Sequence, residues 1–388
     1  MTRCVLALAA MLALPLGAVA EGKPDAPAKL GVRIVFFTPK DVEPPEGVRE
    51  RMTQIADYTQ AFFSKWMKHW GYEPAQPLAI PRDKDDVPEI LFFKGEHTQA
   101  SGKYSRLGFQ NDVVRQAFRK HGISPEGQVW WLFMHKAVEN QWGRGGGSVR
   151  RGGGATARYF TDAGQIKTTD ALGGGFLRQI MLKGAIHEFG HAMGLPHIGP
   201  RDADKLGNSL MGPVNKAYSA RKGPKEERVY LSEAAAAMLW KHPLFTGTTK
   251  DRDRVPTAKL LDFKASYDPK AGHIEVTGKL KSDYGAHSVV VANAQKGEHP
   301  GGYWRKTFVG KIAKEGAFRV AVTELDKADG QLRISFCFDN GAIGGANFRP
   351  SPDGEFAKSY RYRDGTFDFD VEASPTPAAP TGPRRRQR

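Results

Sequence analysis

The stretch His187-Glu188-Phe189-Gly190-His191-Ala192-Met193-Gly194-Leu195-Pro196-His197 decides how the rest of the chain is read. Helical spacing surrounds it: Phe176, Ile180, Met181, Ala185, Phe189 and Ala192 recur every three or four residues, which predicts a helix over about 176–193. On that helix His187 and His191 are four residues apart and share a face, where two imidazoles can ligate one ion. Glu188 adjoins the first of them, so its carboxylate can reach a water at that ion without binding the ion itself. Gly194 suits the left-handed conformation that ends a helix. The turn it allows brings His197 back as a third ligand. Three neutral nitrogens leave the fourth position of a zinc ion open, the catalytic rather than the structural arrangement.

Five fixed positions at this spacing arise by chance in a chain of this length with a probability on the order of one in ten thousand. At these residues the sequence resembles the metzincins, the zinc endopeptidases marked by HExxHxxGxxH and a Met-turn. Asn208-Ser209-Leu210-Met211-Gly212 supplies a candidate for that turn, with Met211 matching the methionine that lies beneath the zinc ligands. The resemblance spans residues 30–245. It implies metal-assisted hydrolysis of a peptide bond, with one catalytic Zn2+ held by His187, His191 and His197 and with Glu188 as general base. It departs at two positions: Ile198 follows the third histidine, and Pro213 stands where some subfamilies keep a tyrosine that swings toward the metal. Tyr218 is the nearest candidate for that place, or for a wall of the pocket that receives the residue after the scissile bond.

Upstream of the motif, Leu30 to Thr38, Glu89 to Lys94 and Val129 to His135 are strand-like apolar runs. Glu46 to Trp70 and Asp112 to Lys120 carry helical spacing, stopped by Gly71 and Gly122. Trp66, Trp70, Trp130 and Trp131 read as core. The Gly-rich segment Trp142 to Phe160 lacks the terminal Gly-Lys-Ser/Thr of a phosphate loop and reads as a flexible rim or edge, made basic by Arg144, Arg150, Arg151 and Arg158. Downstream, Ser232 and Glu233 open a helix to Trp240. Beyond Thr246, short alternating segments separated by Gly, Asp and Asn predict an all-β sandwich, in which Tyr303, Trp304 and Phe308 are expected as core aromatics rather than a sugar-binding face. The expected organisation is a signal peptide over 1–20, an α+β metzincin-like catalytic domain over 21–248 with a mixed sheet and an active-site helix, an all-β sandwich over 249–372 and a basic tail over 373–388.

The signal reading rests on Arg3, the apolar run Val5 to Leu16 and the small-residue site Ala18-Val19-Ala20, and implies a secreted or periplasmic protein. No other stretch is long and apolar enough to span a bilayer, so no transmembrane span is expected after cleavage. Cys337 is then the one cysteine left, which excludes an internal disulfide and a cysteine-based latency switch. The 388 residues carry 57 Lys and Arg against 42 Asp and Glu, a formal charge of +15. That excess suits an acidic protein or peptide substrate. Specific nucleic-acid binding is not expected, because the charge is scattered and no nucleic-acid motif accompanies it. The alternative function is a catalytically silent zinc-binding module that acts in surface or polyanion binding. The intact Glu188 argues against it.

Overall fold

The computed structural model describes residues 30–105, 109–124, 126–137, 143–223, 227–297, 301–349 and 351–369. The expected signal peptide and basic tail lie outside these residues. A five-stranded sheet leads, built from β1 (Val32–Thr38), β2 (Ile90–Lys94), β3 (Val129–Met134), β4 (Gly143–Ser148) and β5 (Gly152–Arg158) in the order β2-β1-β3-β5-β4. Its pairs are parallel except β4 on β5, which is antiparallel and places β4 at the edge. β1, β2 and β3 read as continuous apolar runs because both faces are covered, as parallel sheets require. Ile34, Phe36, Val129, Trp131 and Phe133 face one core, while Val35, Phe37, Trp130, Leu132 and Met134 face a second. The long helix α1 (Val48–His69) covers the first face, and α2 (Phe109–His121) covers the second through Val113 and Ala117.

The Gly-rich segment is not a loose rim. Its described part, from Gly143 onward, is the β4–β5 hairpin, and three of its glycines are set by backbone contact with the active-site helix. A Cβ on Gly145 would lie 1.9 Å from the Glu188 carbonyl oxygen, and one on Gly147 or Gly153 would lie 2.0 Å from that of Ala192. Only bare backbone fits against the helix there.

The single helix expected over 176–193 is two, α3 (Gly175–Gln179) and α4 (Leu182–Ala192). Met181 breaks them apart in the left-handed conformation at φ 54°. Periodicity missed this break because the apolar residues keep their spacing on either side of it. After α4 come β6 (Asn208–Ser209), α5 (Asn215–Lys222), β7 (Val229–Tyr230), α6 (Glu233–Trp240) and α7 (Pro243–Thr246). β6 and β7 pair in parallel, and Ser232 caps α6 as expected, its Oγ accepting from the Ala235 amide at 3.3 Å.

The C-terminal half is β-rich: β8 (Lys259–Asp268), β9 (His273–Lys281), β10 (Ala286–Gln295), β11 (Lys306–Lys311), β12 (Ala317–Val322), β13 (Gly330–Phe338), β14 (Ile343–Gly345), β15 (Ala357–Arg363) and β16 (Thr366–Asp368). One sheet runs β11-β10-β13-β15-β16 with β14 beside β13, and the other runs β12-β9-β8. Val289, Val291, Leu332, Ile334 and Phe336 fill the space between the sheets. Val290, Ala292 and Cys337 point the other way and join the core of the N-terminal half. The larger sheet is therefore buried on both faces, and Cys337 is sealed in the seam with its thiol pushed up to about 12 by burial.

Candidate functional site

Phe189 anchors α4 by stacking on Trp131 of the central strand, ring centroids 4.7 Å apart and 21° from parallel. This turns the side of the helix that carries His187 and His191 away from the sheet. Gly194 then adopts φ +91°, the left-handed turn expected of it, and the chain returns with His197. Ligand atoms of the three histidines lie within 4.8 Å of one another, a set able to hold a metal ion.

Each ring has its other nitrogen tied to a backbone carbonyl. Nδ1 of His187 donates to Leu210 O at 2.8 Å, Nδ1 of His191 to Leu195 O at 2.7 Å, and Nδ1 of His197 to Gly301 O at 2.5 Å. A carbonyl only accepts, so the proton of each neutral ring sits on Nδ1 and the lone pair on Nε2. Nε2 of His191 and of His197 are 3.0 Å apart, two lone pairs facing each other. Burial lowers the pKa of His187 to about 3 and also lowers that of His191, so both are held neutral. Three convergent imidazole nitrogens are the donor set of a borderline divalent cation, and the residues fit zinc.

Glu188 is half-buried against the edge strand. A Cβ on Gly143 would come within 2.9 Å of its Cγ. Burial raises the carboxyl pKa, opposed by a hydrogen bond from the Gly145 amide and by the charge of Arg144. Met211 is 1% exposed, and its sulfur lies 2.6 Å from where a Cβ on Gly190 would be, so the methionine packs against the helix between the two histidines. Arg144, Arg150, Arg151 and Arg158 are all exposed. Arg150 also lines a cavity of about 290 Å³ together with Gly147, Gly194, Arg252 and Arg254, at the junction of the hairpin with the β-rich half.

Two residues escaped sequence reasoning. Lys183, one turn before His187, is buried, and its Nζ donates to Pro213 O beside Asn208 Nδ2, which donates to the same oxygen at 2.8 Å. Burial brings it down to about 7. A charged residue on the buried stripe of the helix was its only signal. Tyr303, expected in the sandwich core, sits instead between β10 and β11 with its ring centroid 3.8 Å from that of His197 and 6.2 Å from that of His187. Trp304 follows it out of the core and stacks on the buried Tyr218 at 6.0 Å and 11°. Of the three aromatics expected in the core, Phe308 is the one that stays inside.

No protein-family model matches the sequence, and no curated protein does. Solved structures do. Wild-type OgpA from Akkermansia muciniphila, in two crystal forms, aligns with TM-scores of 0.64 and 0.65 at 19% and 20% identity, over 89% of this chain and 97% and 96% of that one. Catalytically inactive OgpA in complex with an O-glycopeptide substrate, glycodrosocin, aligns with a TM-score of 0.63 at 18% identity, over 89% and 97% of the two chains. At this identity the likeness is one of fold, and it runs through both halves of the molecule.

Proposed function

We propose that this chain is an exported zinc-dependent endopeptidase of metzincin type. The observation that carries the reading is the convergence of three Nδ1-anchored histidines beside a half-buried glutamate. His187, His191 and His197 would hold the ion, and Met211 would form the apolar floor beneath them. Bound zinc would polarise the scissile carbonyl and acidify the attacking water. Glu188 takes the proton of that water on a carboxylate oxygen and delivers it to the leaving amine. Its raised pKa strengthens it as a base for the first half of that exchange. The exposed edge of β4 suits an extended substrate added as a further strand, since glycines along it let another backbone approach. The four exposed arginines favour acidic groups on that substrate. Tyr218, stacked under Trp304, serves as a wall of the substrate pocket.

The shared fold suggests a substrate class: a protein of similar architecture was crystallised with an O-glycopeptide, so O-glycosylated peptides are the first substrates to test. The decisive experiment incubates matched glycosylated and bare peptides with the zinc-loaded wild type and with Glu188→Ala. Cleavage by the wild type, lost by about 100-fold or more in the variant while zinc stays bound, is the expected result. A wild type that binds zinc and cuts neither peptide set would leave the silent zinc-binding module as the better reading.

A further inference from the structure

We infer that the β-rich half is part of the metal centre: residues 301–305, just before β11, position His197, the one ligand that the active-site helix does not carry. This rests on the reading of the three histidines as zinc ligands. The loop that bears His197 touches that half at His197, at Gly199 and from Arg201 to Ala203. Gly301 O fixes the tautomer of the imidazole, and the Tyr303 ring lies over it. Two residues on, the Gly199 amide donates to Arg305 O at 2.7 Å, and a Cβ on Gly199 would come within 2.3 Å of the Trp304 carbonyl carbon. The Arg201 guanidinium lies over Phe308 of β11 at 5.3 Å. The amides of Asp202 and Ala203 donate to the two carboxylate oxygens of Glu324 at 2.8 and 3.0 Å. Lys306 Nζ donates to Glu324 O at 2.8 Å, and its charge lies 3.8 Å from the carboxylate.

These contacts divide the labour of ligand placement. Helical hydrogen bonds set the separation of His187 and His191. A loop residue has no such ladder, and outer groups that hold a ligating histidine set both its orientation and its basicity. Tyr303 is thus a positioning residue, and so is Gly302, whose φ of +70° turns the Gly301 carbonyl toward His197. A β-branched side chain is strained in that conformation and would also meet the Arg305 guanidinium at 2.7 Å.

The test measures zinc affinity of the full chain by competition with a fluorescent chelator, with melting of the zinc-free protein as the folding control. Tyr303→Ala and Gly302→Val are expected to weaken zinc binding about 10- to 100-fold, with the Tyr303→Ala protein melting as the wild type does. Tyr303→Phe, which keeps the ring, should retain wild-type affinity. Folded Tyr303→Ala and Gly302→Val proteins that hold zinc within twofold of wild type overturn the inference, as does a loss in Tyr303→Phe equal to that in Tyr303→Ala. Should Gly302→Val fail to fold, Tyr303→Ala decides alone. His187→Ala separates the two levels of argument. If it binds zinc like the wild type, the metal site itself has been misread; if it loses zinc while the Tyr303 and Gly302 variants do not, only the positioning role fails.

Discussion

His187 and His191 stand on one helix, and His197 hangs from a loop; the same chemistry is reached by two kinds of construction. The first pair is positioned by α4, which is pressed on the sheet by Phe189 and overlaid by the bare backbone of the β4–β5 hairpin. The third is positioned from residues more than a hundred places away in sequence. Local construction needs one correct helix and one close packing surface. Long-range construction needs two halves of the molecule to meet correctly, which ties the site to the stability of the seam between them.

The helix-side construction breaks most sharply at Gly145. Gly145→Val drives a Cβ into the Glu188 carbonyl, a backbone contact that cannot yield, and we expect a loss of about 4 kcal/mol or more in chemical denaturation. Its neighbour Gly146 has nothing within 4 Å of a built Cβ, so Gly146→Val should stay within about 0.5 kcal/mol of wild type. Equal losses in the two variants would show that glycine is needed for chain flexibility and not for contact with α4.

The floor beneath the helix gives the next effect. Met211→Ala opens a cavity under Gly190 and should cost about 3 kcal/mol, and Gly190→Ala crowds the sulfur and should cost about 2 kcal/mol. Together they should cost less than their sum by about 1 kcal/mol, because each change relieves the other. Strict additivity would mean that the two residues do not touch.

Helix-side features were legible because they are local in sequence. The spacing of the histidines, the φ > 0 turn at Gly194 and the Ser232 cap each depend on residues within a few positions of one another. Apolar runs likewise marked β1, β2 and β3. The reading failed where a distant partner decides. Glycines 143, 145, 147 and 153 look like flexible chain until the helix that presses on them is known. Tyr303 and Trp304 fit strand alternation, so nothing nearby tells that they leave the sandwich for the histidines. Val290 and Ala292 look like the second face of a strand, and only tertiary packing shows that this face is also buried. Met181 breaks the long helix at a position where the apolar spacing is unbroken.

Acid should open the seam between the halves. His242, at the start of α7, and His287, on β10 with its ring 4.8 Å from that of Trp240, are pushed down from 6.5 to about 4, chiefly by burial. Lys241 adds to the effect at His287. Between those values the unfolded chain binds more protons than the folded one, so stability is fully present above about pH 6.5 and is lost as the pH falls toward 4. Each histidine can account for up to about 3 kcal/mol. The double variant His242→Asn/His287→Gln, whose new amide side chain at the start of α7 keeps an acceptor for the Leu244 amide, should show a shallower fall of stability with acid than the wild type. Parallel acid profiles would remove both histidines from the account. Because His197 is held from across the seam, the wild type should also lose chelator-resistant zinc over the same range more steeply than the double variant.

The smallest expected effect asks whether the two constructions unfold together. Ser232→Ala removes the cap of α6, a helix packed against β11 of the sandwich, and should cost about 1 kcal/mol. The cap belongs wholly to the N-terminal half. If the core shared by Val290, Ala292 and Cys337 makes the molecule one cooperative unit, the variant lowers a single urea midpoint without changing its slope. Intrinsic tryptophan emission and far-ultraviolet dichroism should then move together. Two separated transitions, of which only the earlier responds to Ser232→Ala, would mean that the sandwich stays folded after α4 has melted. His197 would in that case lose its helix-borne partners while the Gly301–Tyr303 segment remained in place, and the long-range half of the site would outlast the local one.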